Sequence, residues 1–162
     1  MIRFGRAASG GIVALLVCAS VAPAAIPQPG KFSGTTSQAF PDGSPGTVDI
    51  KMTHGGRRLK SFDIVWLATC DSGFTTLSQG THAVGSLNKR GSFQGSDTYF
   101  SDTGNLAGTP YTAMVTDHLR GRFTGRSKAQ GTFQATAVLR DAGGNPVSSC
   151  SSPRLSWSAE RR

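Results

Sequence analysis

Between Gly121 and Gln134 the chain reads GRFTGRSKAQGTFQ, and its glycines, hydroxyls and cations are the residue types of a phosphate cradle. A nucleotide-binding loop of that kind needs G-x-x-x-x-G-K-[ST], in which backbone N–H groups wrap the phosphates, lysine reaches the outer ones and the hydroxyl holds magnesium. Here the order from Gly121 to Lys128 has one spacer residue too few and places Ser127 before Lys128. No helical pattern follows to supply a positive helix N-terminus. Arg120-Gly121-Arg122-Phe123 also opens like the basic-glycine-aromatic strand of RNA-binding sheets. That motif continues with aromatics at alternate positions and needs a sheet backed by two helices, and neither pattern is present. Neither a nucleotide cofactor nor a nucleic-acid partner is expected.

Side-chain catalysis needs a nucleophile or base with partners. The histidines are His54, His82 and His118. Each reads as structural: His54 at a turn, His82 at the start of a strand, and His118 beside Asp117 at a polar strand end. The nearest approach to the G-x-S-x-G elbow of serine hydrolases is Gly91-Ser92-Phe93-Gln94-Gly95, with the serine one place early. There is no H-E-x-x-H, and two cysteines committed to a disulfide cannot bind zinc. Paired carboxylates for glycoside hydrolysis would come from Asp63, Asp71, Asp97, Asp102, Asp117 and Asp141, because Glu160 is the sole glutamate and lies two residues from the end. No catalytic residue, metal or cofactor is assigned. An exported hydrolase acting on polysaccharide or envelope substrates stands as the alternative to a binding role.

The first residues decide where the chain works. Arg3 and Arg6 precede an apolar run from Gly11 to Ala22, and Ala22-Pro23-Ala24 supplies a small-x-small cleavage pattern. This is a secretory leader, residues 1–24, cut near Ala24. Its run of about twelve residues is shorter than the roughly 20 that cross a bilayer, and no later segment is apolar enough to span. Cys18 reads as an apolar leader residue rather than a lipidation site, because Val17 before it is not small. Without the leader, 15 basic residues face nine acids, a net charge of +6 in place of the +8 of the whole chain. The mature chain, 25–162, reads as a single β-rich domain with two cysteines, Cys70 and Cys150, expected to pair in an oxidising compartment. Closing that loop would stabilise the fold by ~4 kcal/mol on the chain-entropy account.

Strands are what the remaining pattern supports, since no mature window carries apolar positions at helical spacing. Val48, Ile50 and Met52 alternate with polar residues, His54-Gly55-Gly56-Arg57 turns the chain, and Phe62, Ile64, Trp66, Ala68 and Cys70 share a face of the returning strand. Eight or nine strands are expected, near 31–36, 47–53, 59–69, 82–88, 91–99, 111–117, 119–125, 131–140 and 153–160. Pro41-Asp42-Gly43, Asn88-Lys89-Arg90-Gly91, Gly104-Asn105 and Gly143-Gly144-Asn145-Pro146 supply turn chemistry between them. The expected architecture is an antiparallel β-sandwich with one disulfide, and a closed β-barrel is the alternative. GRFTGRSKAQGTFQ then becomes a hairpin. Phe123 and Phe133 point inward, the glycines leave room for rings of a facing sheet, and Arg122, Arg126 and Lys128 lie outside.

Cations are the one functional hint. Arg57, Arg58 and Lys60 cluster at one hairpin, Lys89 and Arg90 at another, and Arg120, Arg122, Arg126 and Lys128 at a third. The candidate binding residues are Arg57, Arg58, Lys60, Arg122, Arg126 and Lys128, and the partner they suit is an anionic envelope polymer or an acidic protein. The expected function is non-catalytic binding or a structural role at the cell envelope. An inhibitor or protein-interaction module is a further reading. Gly30 to Gly34, Phe62 to Cys70, Gly121 to Phe133, and Cys150-Ser151-Ser152 through Trp157-Ser158-Ala159 also resemble the segments of small secreted bacterial proteins of unknown function. That resemblance implies an all-β fold and a bridge between Cys70 and Cys150, and no activity.

Overall fold

A chain rich in glycine, serine and threonine and poor in helix formers goes almost wholly into extended backbone. The computed structural model describes residues 26–53, 55–82, 85–106 and 109–162, none of them helical. The leader expected at 1–24, with Cys18, and His54 lie outside the described residues. Nine strands follow one another: β1 (Gly30–Ala39), β2 (Pro45–Met52), β3 (Leu59–Cys70), β4 (Thr75–His82), β5 (Ser92–Leu106), β6 (Thr109–Phe123), β7 (Lys128–Arg140), β8 (Pro146–Ser151) and β9 (Leu155–Arg161).

Every pairing is antiparallel. Neighbours run β4-β3-β2-β1-β9-β7-β6-β5, and β8 joins β3 to β7. The strands β3, β2, β1, β9, β7 and β8 therefore close a ring of six, so the closed barrel is the form taken. The sandwich character survives in two wings. β4 extends β3, the β5–β6 hairpin extends β7, and their inner faces meet where His82 touches Asp117.

Closure depends on a broken strand. Thr136 to Arg140 of β7 pair with β8, while Lys128 to Phe133 of the same strand pair with β9. Ser152 fills the gap: its N–H donates to Ala135 O at 2.9 Å, and its hydroxyl accepts from Ala135 N at 2.9 Å. A continuous strand would stay on one partner and leave the sheet open. The break lets β8 reach β3 and β9 reach β1.

The seam between β3 and β8 is short, with only Thr69↔Ser151 and Cys70↔Cys150 in register. Three side-chain devices reinforce it. The expected disulfide joins Cys70 to Cys150. Asp71 accepts from the Ser148 hydroxyl and from Ser149 N at 3.2 Å. Gln38 acts as a one-residue strand, donating to Leu67 O at 3.0 Å and accepting from Leu67 N at 2.7 Å.

The inward faces carry the expected alternation. Phe62, Ile64, Trp66, Ala68 and Cys70 are buried in β3, and Phe123 and Phe133 in β6 and β7. Trp157 lies 5.1 Å from Phe62 and 6.0 Å from Phe93, ring centre to ring centre. Gly121 and Gly131 stand opposite each other across β6 and β7. A Cβ at Gly121 would come within 2.3 Å of Phe93, and one at Gly131 within 2.0 Å of Arg120 O and 2.5 Å of Trp157. The rings these glycines admit thus come from neighbouring strands of their own sheet, not from a facing one.

Several strand limits differ from the expectation. The two strands foreseen at 111–117 and 119–125 are one continuous β6, because inward Asp117 keeps the alternation going where the sequence looks polar. The strand foreseen at 82–88 ends at His82 instead of starting there. Residues 146–151 were foreseen as a turn and the run after it. They form β8 although only Ser148 and Cys150 turn inward. Lys128, placed in the turn by its polarity, opens β7.

Candidate functional site

Two regions hold polar groups that the fold itself does not use. The first is one end of the barrel. The β2–β3 turn, the β6–β7 turn, the β4–β5 connection and both chain-terminal strand ends meet there, as the registers Gly30↔Met52, Ser92↔Arg122, Arg122↔Gln130 and Lys128↔Glu160 require. Backbone bonds tie these loops to each other. Gln28 N donates to Arg126 O at 2.9 Å, Leu87 N to Arg57 O at 2.9 Å, Phe123 N to Gly91 O at 3.0 Å and Arg161 N to Ser127 O at 2.8 Å.

These ties gather cations that lie far apart in sequence. Arg57, Arg58 and Lys60 come from one hairpin, Lys89 and Arg90 from the next connection, and Arg122, Arg126 and Lys128 from a third; all eight are exposed. Lys31, Lys51, Arg161 and Arg162 stand at the same strand ends. Of the remaining described lysines and arginines, Arg120 is one step further along β6 and Arg140 and Arg154 lie elsewhere. Lys128 pairs with Glu160 at 2.9 Å, both well exposed, and that hydrogen bond holds its ammonium above the usual lysine value. Arg161 Nε donates to Pro29 O at 3.2 Å. Among the described residues no side-chain partner holds Arg57, Arg58, Lys60, Arg122 or Arg126. All six sequence-predicted binding residues thus belong to one end of the barrel.

At the opposite end the charged side chains have structural partners. Asp42 accepts from the Ser44 hydroxyl at 2.7 Å and Ser44 N at 2.9 Å. Asp141 accepts from Gly143 N and Asn145 N, both at 2.9 Å. Hydrogen bonds lower the carboxyls of Asp42, Asp71 and Asp141 below the usual aspartate value, led by Ser44, Ser148 and Asn145 respectively.

The second region lies between the wings. His82 ends β4 facing inward and Asp117 sits midway along β6; Nε2 and Oδ2 are 3.0 Å apart, with the residues 4% and 0% exposed. The contact lacks the alignment of a hydrogen bond, so His82 Nε2, both Asp117 oxygens and the nearby Trp66 Nε1 stay without one. Phe62 and Phe133 ring centres flank His82 at 6.3 and 6.2 Å. Tyr99 of β5 approaches the same group, and burial, then Asp117 and Asp97, push its phenol up to about 12. Asp97 is the register partner of Asp117, and it is exposed at the open edge.

Of the candidate acids, only Asp97 and Asp117 stand opposite each other on an inner face. Asp63 lies on the outer surface bonded to Thr81 at 2.6 Å, Asp71 ties the end of β3 to β8, and Asp141 holds a turn. The side chain of Asp102 lies outside the described residues. His118 is exposed on β6. The sequence reads His82 as structural and Asp117 only as one of six candidate carboxylates. Thr75-Thr76-Leu77-Ser78-Gln79-Gly80-Thr81-His82 has no apolar alternation to mark it as a strand, so nothing in the sequence pointed His82 at Asp117. Among the described residues no cluster of three or more metal-ligating side chains forms, and no helix is long and apolar enough to cross a membrane. Compared with protein-family models, with curated proteins and with solved structures, the chain matches none.

Proposed function

We propose that the chain is an exported, non-catalytic binding protein that works at the cell envelope, docking an anionic polymer on the cationic end of its barrel. The observation that carries this reading is the gathering of Arg57, Arg58, Lys60, Arg122 and Arg126 by loop-to-loop backbone bonds without side-chain partners of their own. Cations held by internal carboxylates would already be satisfied; these present their charge outward, where it attracts a polyanion over a Debye length of about 8 Å at physiological salt. Export is supported by the leader expected at 1–24 and by the disulfide, which suits an oxidising compartment.

The test is retention of the mature protein on immobilised polygalacturonate across a sodium chloride gradient. Retention should fall steeply with salt. The variant carrying Arg122→Gln, Arg126→Gln and Lys128→Gln should elute at lower salt than the parent. Retention that persists unchanged in molar salt, or is untouched by the triple substitution, sinks the electrostatic reading.

The hydrolase reading keeps one specific support, Asp97 opposite Asp117 beside His82. Full burial of Asp117 argues against a polymer chain reaching both carboxylates. Release of reducing ends from polygalacturonate by the parent, lost in Asp97→Asn, would reverse that judgement.

A further inference from the structure

The polar group between the wings has a geometry that packing alone does not explain. A cleft of about 430 Å³ opens between β4 and the β5–β6 hairpin, lined by Leu77, Tyr99, Tyr111, Ala113, Val115 and Leu139. At Gly80 in β4, a Cβ would lie 3.2 Å from Tyr99 Oη, 3.5 Å from His82 Nε2 and 4.0 Å from Trp66 Nε1. Three polar atoms from three strands thus converge on the spot where Gly80 has no side chain, and Asp117 stands 3.0 Å beyond His82. Trp66, His82 and Asp117 are each more than nine-tenths buried and lack a hydrogen-bond partner. An unsatisfied buried donor or acceptor is costly, and several around one point make an unusual concentration.

We propose that this cleft binds a small uncharged amphiphile, its apolar body between Leu77 and the two tyrosines and a hydroxyl head directed past Tyr99 toward Trp66, His82 and Asp117. The head is chosen by its hydrogen-bonding inventory. Trp66 N–H only donates and needs a lone pair, whereas the Asp117 carboxylate needs a proton donor. An ammonium has no lone pair for the indole, and a carboxylate brings no proton to donate. A hydroxyl supplies both functions on one atom. Tyr99 is the one residue shared by the two halves: it lines the cleft, and its hydroxyl lies at the Gly80 convergence point, with Trp66, His82 and Asp117 beyond it and outside the cleft lining. The volume falls within the range of small-ligand sites, about 300–1,000 Å³, and the site is separate from the cationic end.

Trp66 and Trp157 are the only tryptophans, so their indole N–H signals report on the site and on a control position. The mature protein, labelled with nitrogen-15, is titrated with 4-propylphenol and, separately, with propylbenzene. The phenol should shift the Trp66 indole signal saturably, leave Trp157 in place, and bind at least tenfold more tightly than propylbenzene. Gly80→Ala adds one methyl group at the convergence point and should weaken the phenol at least tenfold with the Trp157 signal unchanged. Equal affinity for the two compounds, a shift at Trp157 alone, or no saturable shift up to the solubility limit overturns the proposal. The comparison of the two compounds stands on the parent protein even if Gly80→Ala folds poorly.

Discussion

The two ends of the barrel are built from the same parts, tight turns joining antiparallel strands, yet they use charge in opposite ways. At the disulfide end, Asp42 and Asp141 accept hydrogen bonds from the turns they hold, Asp71 accepts from β8 across the seam, and their charge serves the fold. At the cationic end the turns are tied by main-chain bonds, which leaves Arg57, Arg58, Lys60, Arg122 and Arg126 with no structural duty. The difference separates charge that stabilises from charge that is available. The cluster between the wings is a third case, in which buried polar groups are neither satisfied nor exposed. Substitutions should therefore divide by region, with loss of stability at the seam and between the wings and loss of binding alone at the cationic end.

The largest loss is expected between the wings. Asp117→Ala removes one partner of a buried pair and leaves His82 without it, which should cost ~3–5 kcal/mol in denaturant unfolding. Combining Asp117→Leu with His82→Phe replaces both partners by apolar groups and should recover most of that loss, since such exchanges are often neutral or stabilising. A double variant as unstable as the single one would show that the pair itself, and not the orphaned partner, supports the fold.

At the disulfide end, replacing Cys70 and Cys150 together by alanine should cost about 4 kcal/mol on the loop-closure account. The β3–β8 seam has two residue pairs to fall back on, so hydrogen exchange at Thr69 and Ser151 should rise before exchange in the β6–β7 ladder. Equal protection in both places would mean that Asp71 and Gln38 hold the ring closed without the disulfide.

A smaller effect at the same end depends on pH. Hydrogen bonds from Ser148 and Ser149 hold the Asp71 carboxyl below its usual value. A carboxyl lowered in the folded state contributes stability that is fully present above the unfolded value, about 3.9, and is lost as pH falls through the folded one. The parent should therefore lose stability below about pH 4 more steeply than Asp71→Asn. Coincident acid limbs for the two proteins would remove Asp71 from the account.

How much of this was legible in the sequence follows the same division. The turns at Pro41-Asp42-Gly43 and Gly143-Gly144-Asn145-Pro146 and the alternation through Trp66 are local signals, and local chemistry fixes them. The cationic residues could be named from their clustering along the chain. Their meeting at one end follows from strand registers that join residues more than 100 positions apart, such as Phe32↔Arg161, and no local pattern encodes that. Ring closure by β8 and the approach of His82 to Asp117 were hidden for a related reason. Both depend on strands whose serine- and threonine-rich sequences lack apolar alternation. The choice between sandwich and barrel turned on the three-residue break Ser152-Pro153-Arg154 between β8 and β9, which no apolar pattern marks.

The smallest effect on stability should come from the region most exposed to function. Arg57→Gln, Arg58→Gln and Arg126→Gln together remove three charges that no described side chain holds, and surface changes away from caps and cores leave stability nearly unchanged. The thermal midpoint should stay where it is while retention on polygalacturonate shifts to lower salt. Arg140→Gln and Arg154→Gln remove cations away from that end and should leave retention almost intact. If both sets weaken retention in proportion to the charges they remove, three against two, net charge alone governs attraction and the gathering of cations at one end has no special role; a loss confined to the first set would assign the binding to that end.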